Sequence, residues 1–322
     1  MRLTISAVIS ACGLMIISVA APGKEGFSAG TGESRATVRA INGNPLQVNV
    51  GSDHSFQVFN TTVPGGGQIY PNSSELADFG WMLRVGNALY APQFGSRPTA
   101  TGALGATINY TQPGVSSVTG NGSAAAPFSV TVTANAGSGL NLTQVVSYVN
   151  GESFFRKQLT IDNTSATSSS VRVFLGADIF LASSDVGRSQ YLSASGSVGG
   201  LTCEGVSPTY NILLIPQSNP TPTAYTADTF NAVWAQIASG DLSGTTNAAS
   251  CFDNGAALQW NLDIPAGGSA VIRAATSFGA IPTIVQPPAA STTPIPTLNA
   301  LGAAVLIGFA VLGGLVVLRR EG

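Results

Sequence analysis

Leu258-Gln259-Trp260-Asn261-Leu262-Asp263-Ile264 sets four apolar side chains against three polar ones in strict alternation. Successive side chains leave a β-strand on opposite sides, so a period of two marks a strand with one face in a core and one in solvent. Pro265-Ala266-Gly267-Gly268 follows as a turn, and Ala270, Ile272 and Ala274 resume the alternation. The segment therefore predicts a β-hairpin. The same period recurs outward from it. Val171, Val173 and Leu175 form one run; Leu46, Val48 and Val50 alternate with Gln47 and Asn49; Phe128, Val130 and Val132 alternate with Ser129, Thr131 and Thr133. Half-buried strands at short spacing from about Arg35 to Gly279 predict an all-β fold, a large antiparallel β-sandwich rather than a parallel α/β sheet.

At 322 residues the chain has room for one large β domain or for two smaller sandwiches, Arg35 to about Ala124 and Phe128 to Gly279. No repeat of 20–50 residues and no Pro-rich linker divides the body. In size and pattern it resembles the galactose-mutarotase kind of super-sandwich, which implies a single body over residues 21–280. One segment breaks the period. Phe230, Val233, Trp234 and Ile237 stand at i, i+3, i+4 and i+7, with Asp228 or Thr229 as N-cap and Gly240 as stop. This predicts one short helix laid over an open end or face of the sandwich, its apolar stripe in the core.

Only 9% of residues are charged, and glycine (38 residues), Ser, Thr and Asn occupy the positions Lys and Glu fill elsewhere. A solvent face of small polar residues suits an extracellular β protein. Three of the 13 cations, Arg2, Arg319 and Arg320, lie in the two ends, so the body is mildly acidic. It has no Lys/Arg cluster for a phosphate backbone, which argues against nucleic acid as a partner.

The ends specify export. Residues 1–20 read as a signal peptide. Arg2 supplies its positive region, Leu3 to Val19 its apolar stretch, and Ser18-Val19-Ala20 a small-x-small signal for cleavage after Ala20. Ile9-Ser10-Ala11-Cys12 offers the alternative of a lipobox, against which the apolar run is short before Cys12 and continues beyond it. At the other end, residues 281–294 form a Pro/Thr/Ser linker. Ala300 to Leu318 then gives 19 residues without a charge before Arg319-Arg320. As a helix this reaches ~28 Å, enough for a transmembrane helix over 300–318. The two arginines stop transfer and face the cytoplasm, leaving the body outside.

Ile295-Pro296-Thr297-Leu298 with Gly302, an apolar helix and a double arginine resembles the IPTL-CTERM sorting signal over residues 295–322. The family has Trp where this chain has Leu301. The resemblance implies an exosortase-type membrane transpeptidase as partner, with the tail as its substrate. It also implies a cell-envelope location, anchored through one C-terminal helix or released to the surface after processing. A GPI signal shares the spacer and apolar tail but does not end in Arg-Arg-Glu-Gly.

Cys203 and Cys251 are the two cysteines of the exported body, and an oxidising compartment predicts a disulfide, with two buried free thiols as the alternative. Closing that loop is worth about 3–4 kcal/mol in the chain-entropy model. Residues fit for chemistry are few. His54, the sole histidine, follows Asp53 in Gly51-Ser52-Asp53-His54-Ser55, which reads as a solvated turn; no GxSxG elbow accompanies it, and no set of His/Cys ligands suits zinc. Asp178 and Asp185 lie in a polar interruption after a strong strand. With Glu152 and Asp162 nearby in sequence they are candidates for Ca²⁺, or by themselves for the acid pair of a glycosidase. The structural alternative is that Asp185 caps a turn and Asp178 pairs with Arg188 or Arg172. Six Asn-x-Ser/Thr sequons, at Asn60, Asn72, Asn109, Asn121, Asn141 and Asn163, follow from composition.

No catalytic residue and no cofactor other than Ca²⁺ is expected. The expected function is a non-enzymatic structural, adhesion or binding role at a bacterial envelope, with surface carbohydrate among its partners. The alternative is a secreted carbohydrate-active enzyme, lyase or hydrolase, that uses Asp178 or Asp185. Geometry discriminates the two: carboxylates that converge with an aromatic in a concave groove favour the enzyme, and carboxylates pointing into separate turns exclude it.

Overall fold

The computed structural model describes residues 35–217, 219–247 and 251–279. The leader with Ala20, the linker 281–294 and the tail 295–322 with its helix 300–318 lie outside the described residues. Among the described residues no helix is long and apolar enough to cross a membrane. In chain order the strands begin with β1 (Val38–Asn42), β2 (Leu46–Gly51), β3 (Phe56–Asn60), β4 (Phe79–Val85), β5 (Ala88–Ala91) and β6 (Ile108–Asn109). There follow β7 (Thr111–Val115), β8 (Phe128–Asn135), β9 (Leu140–Tyr148), β10 (Phe154–Asn163), β11 (Ser169–Asp178) and β12 (Arg188–Leu192). The last are β13 (Ser197–Leu201), β14 (Asn211–Pro216), β15 (Ala224–Thr229), β16 (Thr245–Thr246), β17 (Asn254–Ile264) and β18 (Ser269–Phe278), with helix α1 (Phe230–Ser239) between β15 and β16.

The strands form three sheets, as an all-β sandwich requires. One is β1-β2-β3; the eight-stranded sheet runs β12-β13-β14-β18-β10-β9-β8-β7, and the seven-stranded sheet β16-β15-β17-β11-β4-β5-β6. Pairing is antiparallel except at the two edges of the seven-stranded sheet, where β16 on β15 and β6 on β5 are parallel. The main core lies between the large sheets. Trp81, Leu83, Val173, Leu175, Leu258 and Trp260 from one meet Val130, Val146, Leu159, Ile161, Ile272 and Leu214 from the other. Val48, Val50, Phe56 and Val58 of the three-stranded sheet join the same cluster.

The expected hairpin at Pro265–Gly268 is corrected. β17 pairs with β15 and β11, whereas β18 pairs with β14 and β10, so the turn carries the chain from one sheet to the other. Both flanking strands alternate, and alternation alone does not say whether the second lies beside the first or across the core from it. The β10–β11 link makes the same crossing alongside. The buried Asn163 ties the two arches together: its Nδ2 donates to the carbonyls of Thr167, Ile264 and Pro265, and its N–H to Gly268 O. This sequon asparagine is a structural clamp.

The central strands of the seven-stranded sheet are buried on both faces along part of their length. Helix α1 forms where the sequence places it, with Thr229 as N-cap accepting from Ala232 N at 3.3 Å and Gly240 as left-handed C-cap at φ 95°. Val233, Trp234 and Ile237 pack on Met82, Phe174 and Ala257 of the sheet's outer face. Burial of three such side chains is worth about 1.5–3 kcal/mol each. The helix can lie this close because β11 carries Gly176 beneath it; a Cβ there would stand 2.9 Å from both Ile237 Cδ1 and Trp234 Cζ3.

One inward position departs from the apolar pattern. On β10, Lys157 shares the core face with Phe155, Leu159 and Ile161 and is fully buried. Its Nζ donates to Thr276 Oγ1 at 2.5 Å and lies over the rings of Phe155, Phe79 and Phe56 at 4.3, 5.1 and 5.7 Å. Burial holds this amine well below the usual lysine range.

Replacing Asn163 by Ala leaves buried carbonyls of both arches without their donor. The expected loss is about 1–3 kcal/mol of stability, read from the midpoint of urea unfolding.

Candidate functional site

Asp178 ends β11, and alternation from Phe174 and Gly176 puts its side chain on the face that α1 covers. It is fully buried. Its backbone is clasped from both sides, N–H to Asp78 O and C=O from Tyr70 N. The chain then turns through Ala182 and Ser183, both in the left-handed region at φ 54° and 65°. The buried Gln68 holds that turn, its Oε1 accepting from Ala182 N at 3.0 Å.

Two further contacts bring a distant segment to this turn. Gly187 and Phe252 exchange backbone hydrogen bonds at 2.9 and 3.1 Å. Cys203 and Cys251 form the expected disulfide, with Cα atoms 5.9 Å apart. Asp185 stands two residues before Gly187, and Asp253 directly follows Phe252. The carboxylate oxygens of Asp178, Asp185 and Asp253 consequently stand within 4.8 Å of one another, the first buried and the other two half-buried.

The two carboxylates picked out in the sequence therefore converge and do not point into separate turns. Arg172 sits six residues away on the same strand, ~20 Å along it, and pairs with Asp241 at 3.4 Å. Arg188 pairs with Glu204 at 3.6 Å. Asp253 is the member that sequence reasoning missed; its one signal was Cys251 two residues upstream. Unit charges at this separation repel by about 3 kcal/mol per pair at an effective dielectric near 20. The spacing fits oxygens around one divalent cation and approaches the ~5–5.5 Å of a retaining glycosidase pair.

The expected solvated histidine is corrected as well. His54 does lie in the turn between β2 and β3, at φ 66°, but it is fully buried. Its Nδ1 meets Gln144 Oε1 at 3.3 Å and its ring stands edge-on to Tyr110 at 5.2 Å. Asp53 faces elsewhere, accepting from Gln93 N at 2.9 Å and Ser55 Oγ at 2.5 Å and pairing with the equally buried Arg97 at 3.3 Å. No Ser-His-Asp relay connects these three neighbours. Their work is to anchor the segment after β5, together with Asp78, which accepts from Thr99 Oγ1 and Ala100 N at 2.7 Å each.

No family model and no curated protein matches the chain. Solved structures do. A bacterial glucoamylase complexed with acarbose matches at TM-score 0.50 and 8% identity over 82% of this chain. A heparan sulfate lyase mutant from Pedobacter heparinus matches at 0.42 and 10% over 76%, and an α-galactosidase from Geobacillus stearothermophilus at 0.35 and 7% over 76%. The chain spans 34%, 35% and 40% of those proteins. The glucoamylase match defines the architecture of the body, a β-sandwich also present in a carbohydrate-processing enzyme.

The expectation of a non-enzymatic structural, adhesion or binding role falls at this point. The body shares its architecture with a glucoamylase, and the carboxylates whose divergence would have excluded catalysis converge.

Burial lowers the His54 pKa from 6.5 to about 4. The unfolded chain takes up a proton below pH 6.5 while the folded chain stays neutral, so this group's contribution is complete above pH 6.5 and is lost as the pH falls toward 4. The gap corresponds to about 3 kcal/mol. In His54→Asn, which tolerates the left-handed backbone, denaturation measured between those two pH values is expected to lose that slope relative to wild type.

Proposed function

We propose that this chain is an exported carbohydrate-active enzyme, a hydrolase or lyase on a super-sandwich-like β scaffold, with Asp178, Asp185 and Asp253 as its carboxylate centre. The observation that carries the reading is the meeting of three carboxylates from the end of β11, the following turn and the start of β17. Glycosidic bond hydrolysis needs one group to protonate the bridging oxygen as it leaves and a second to stabilise or attack the sugar carbon, directly or through water. Buried Asp178 and the half-buried, more accessible Asp185 and Asp253 offer the unequal environments that separate such roles. The backbone clasp on Asp178 and the Gln68-held turn keep those groups in place before substrate arrives.

A second reading is favoured by the same spacing: the three carboxylates would hold Ca²⁺, which takes oxygen ligands at ~2.3–2.6 Å and neutralises their mutual repulsion. In that case Asp178, Asp185 and Asp253 would hold the ion, which would supply positive charge for a substrate oxygen or carboxylate.

The route to the envelope belongs to this proposal. Residues 1–20 direct export with cleavage after Ala20, the uncharged stretch 300–318 anchors the chain with Arg319 and Arg320 inside, and an exosortase-type transpeptidase recognises Ile295-Pro296-Thr297-Leu298 and Gly302. Intact-mass measurement of protein recovered from cells is expected to show both ends removed; a full-length mass would sink this part.

For the reaction, neutral and acidic oligosaccharides are incubated with the protein, and new reducing ends and unsaturated products are measured. Asp185→Asn is expected to lower turnover by ~10²–10⁴-fold, the range for a removed acid–base group, without lowering the melting temperature. An active Asp185→Asn protein would reject the centre. For calcium, chelation with EDTA is expected to lower the melting temperature of wild type but not of Asp178→Asn.

A further inference from the structure

Helix α1 covers only part of the seven-stranded sheet's outer face. Beyond its C-terminus lies a groove of about 520 Å³. Two cross-strand rows make its floor: Arg84, Arg172 and Asn261 from β4, β11 and β17, and next to them Ser170 opposite Asp263. The Gly86-Asn87 turn borders it.

We propose that this groove binds an acidic saccharide unit, with the Arg84–Arg172 pair receiving the sugar carboxylate and Asn87, Asn261 and Asp263 receiving its hydroxyls. Two guanidiniums directly opposite each other in an antiparallel pair repel, and their neutralisation is unequal. Arg172 pairs with Asp241 at 3.4 Å and donates to Gly240 O at 3.2 Å. Arg84 donates to Ala238 O and, at a long 3.4 Å, to Asn87 O, and makes no ion pair among the described residues. Carbonyl oxygens at a helix C-terminus carry only a partial negative charge, so Arg84 keeps its positive charge on one side of the groove floor, while Asp263 places a carboxylate on the other. A guanidinium's planar fork matches a carboxylate. Side-chain amides, each both donor and acceptor, match the hydroxyls around it. Ser170 Oγ fixes Asp263 by a 2.5 Å bond to Oδ1, which orients the remaining carboxylate oxygen.

The inference rests on the carbohydrate reading above and names its substrate class. Arg172 and Asp178 lie ~20 Å apart along β11, so the groove is a holding site separate from the carboxylate centre. Binding is therefore measured without turnover. The full-length protein in detergent is titrated with an oligogalacturonate and with a maltooligosaccharide of equal length, at low and at raised salt.

The acidic oligomer is expected to bind, more weakly as salt rises, and the neutral one at least tenfold less well. Arg84→Gln is expected to weaken the acidic oligomer at least tenfold. Asn87→Asp, at an exposed turn that tolerates the change, is expected to weaken it severalfold and so serves if Arg84→Gln does not fold. Equal binding of the two oligomers, no binding of the acidic one, or unchanged affinity in a folded groove variant would overturn the assignment. Asp185→Asn is expected to bind as wild type does. Acidic binding with no turnover of any sugar would reject the enzyme reading alone, and turnover of neutral sugars with no acidic binding would reject the groove alone.

Discussion

A strand satisfies its own backbone by pairing, but a strand with apolar side chains on both sides needs a layer of protein on each. β11 and the first part of β17 are such strands, buried without interruption from Val173 to Asp178 and from Asn254 to Trp260. The eight-stranded sheet covers one of their faces and α1 the other. That double cover is the constraint from which the remaining arrangement follows. It requires a glycine at 176 for the helix to approach, and it requires the chain to cross between sheets at Asn163–Ser169 and Ile264–Ser269. It also confines polar side chains on these strands to the two ends that the helix leaves uncovered.

Those two ends differ in charge in the sense the helix favours. The N–H of Phe230, the first residue of α1, donates to Asp253 O, so the carboxylate group gathers beside the helix's positive end. Arg84 and Arg172 reach the carbonyls of Ala238 and Gly240 at its negative end. A ten-residue helix thereby has three carboxylates beside its first turn and two arginines bound to its last carbonyls, on one face of a single sheet.

Much of this was legible in the sequence where the governing interactions are local. Period-two runs located β2, β8, β11, β17 and β18, and the cap residues of α1 located its ends, because alternation and capping act over a few residues. The single cysteine pair was legible from compartment and count. What escaped depends on contacts between distant segments. The 265–268 turn reads equally well as a hairpin or as an arch until the partners of β17 and β18 are known. His54 looked solvated since nothing nearby in sequence shows that Gln144 and Tyr110 close over it. Asp253 stands 68 positions after Asp185, and only the Gly187–Phe252 bridge and the adjacent disulfide make them neighbours. Lys157 had a visible signal, a lysine in the register of Phe155, Leu159 and Ile161, which alternation assigns to the interior.

The lysine enclosed by three phenylalanine rings ties folding to proton release. Its amine titrates near 10.5 in the unfolded chain and well below that once the sandwich closes. At any pH between those two values, assembling the core therefore expels a proton to the medium. The heat of that step includes the heat of the buffer that accepts it. Two buffers of equal pH but different ionisation enthalpy will thus report different unfolding enthalpies for the same molecule, and the difference counts the protons moved.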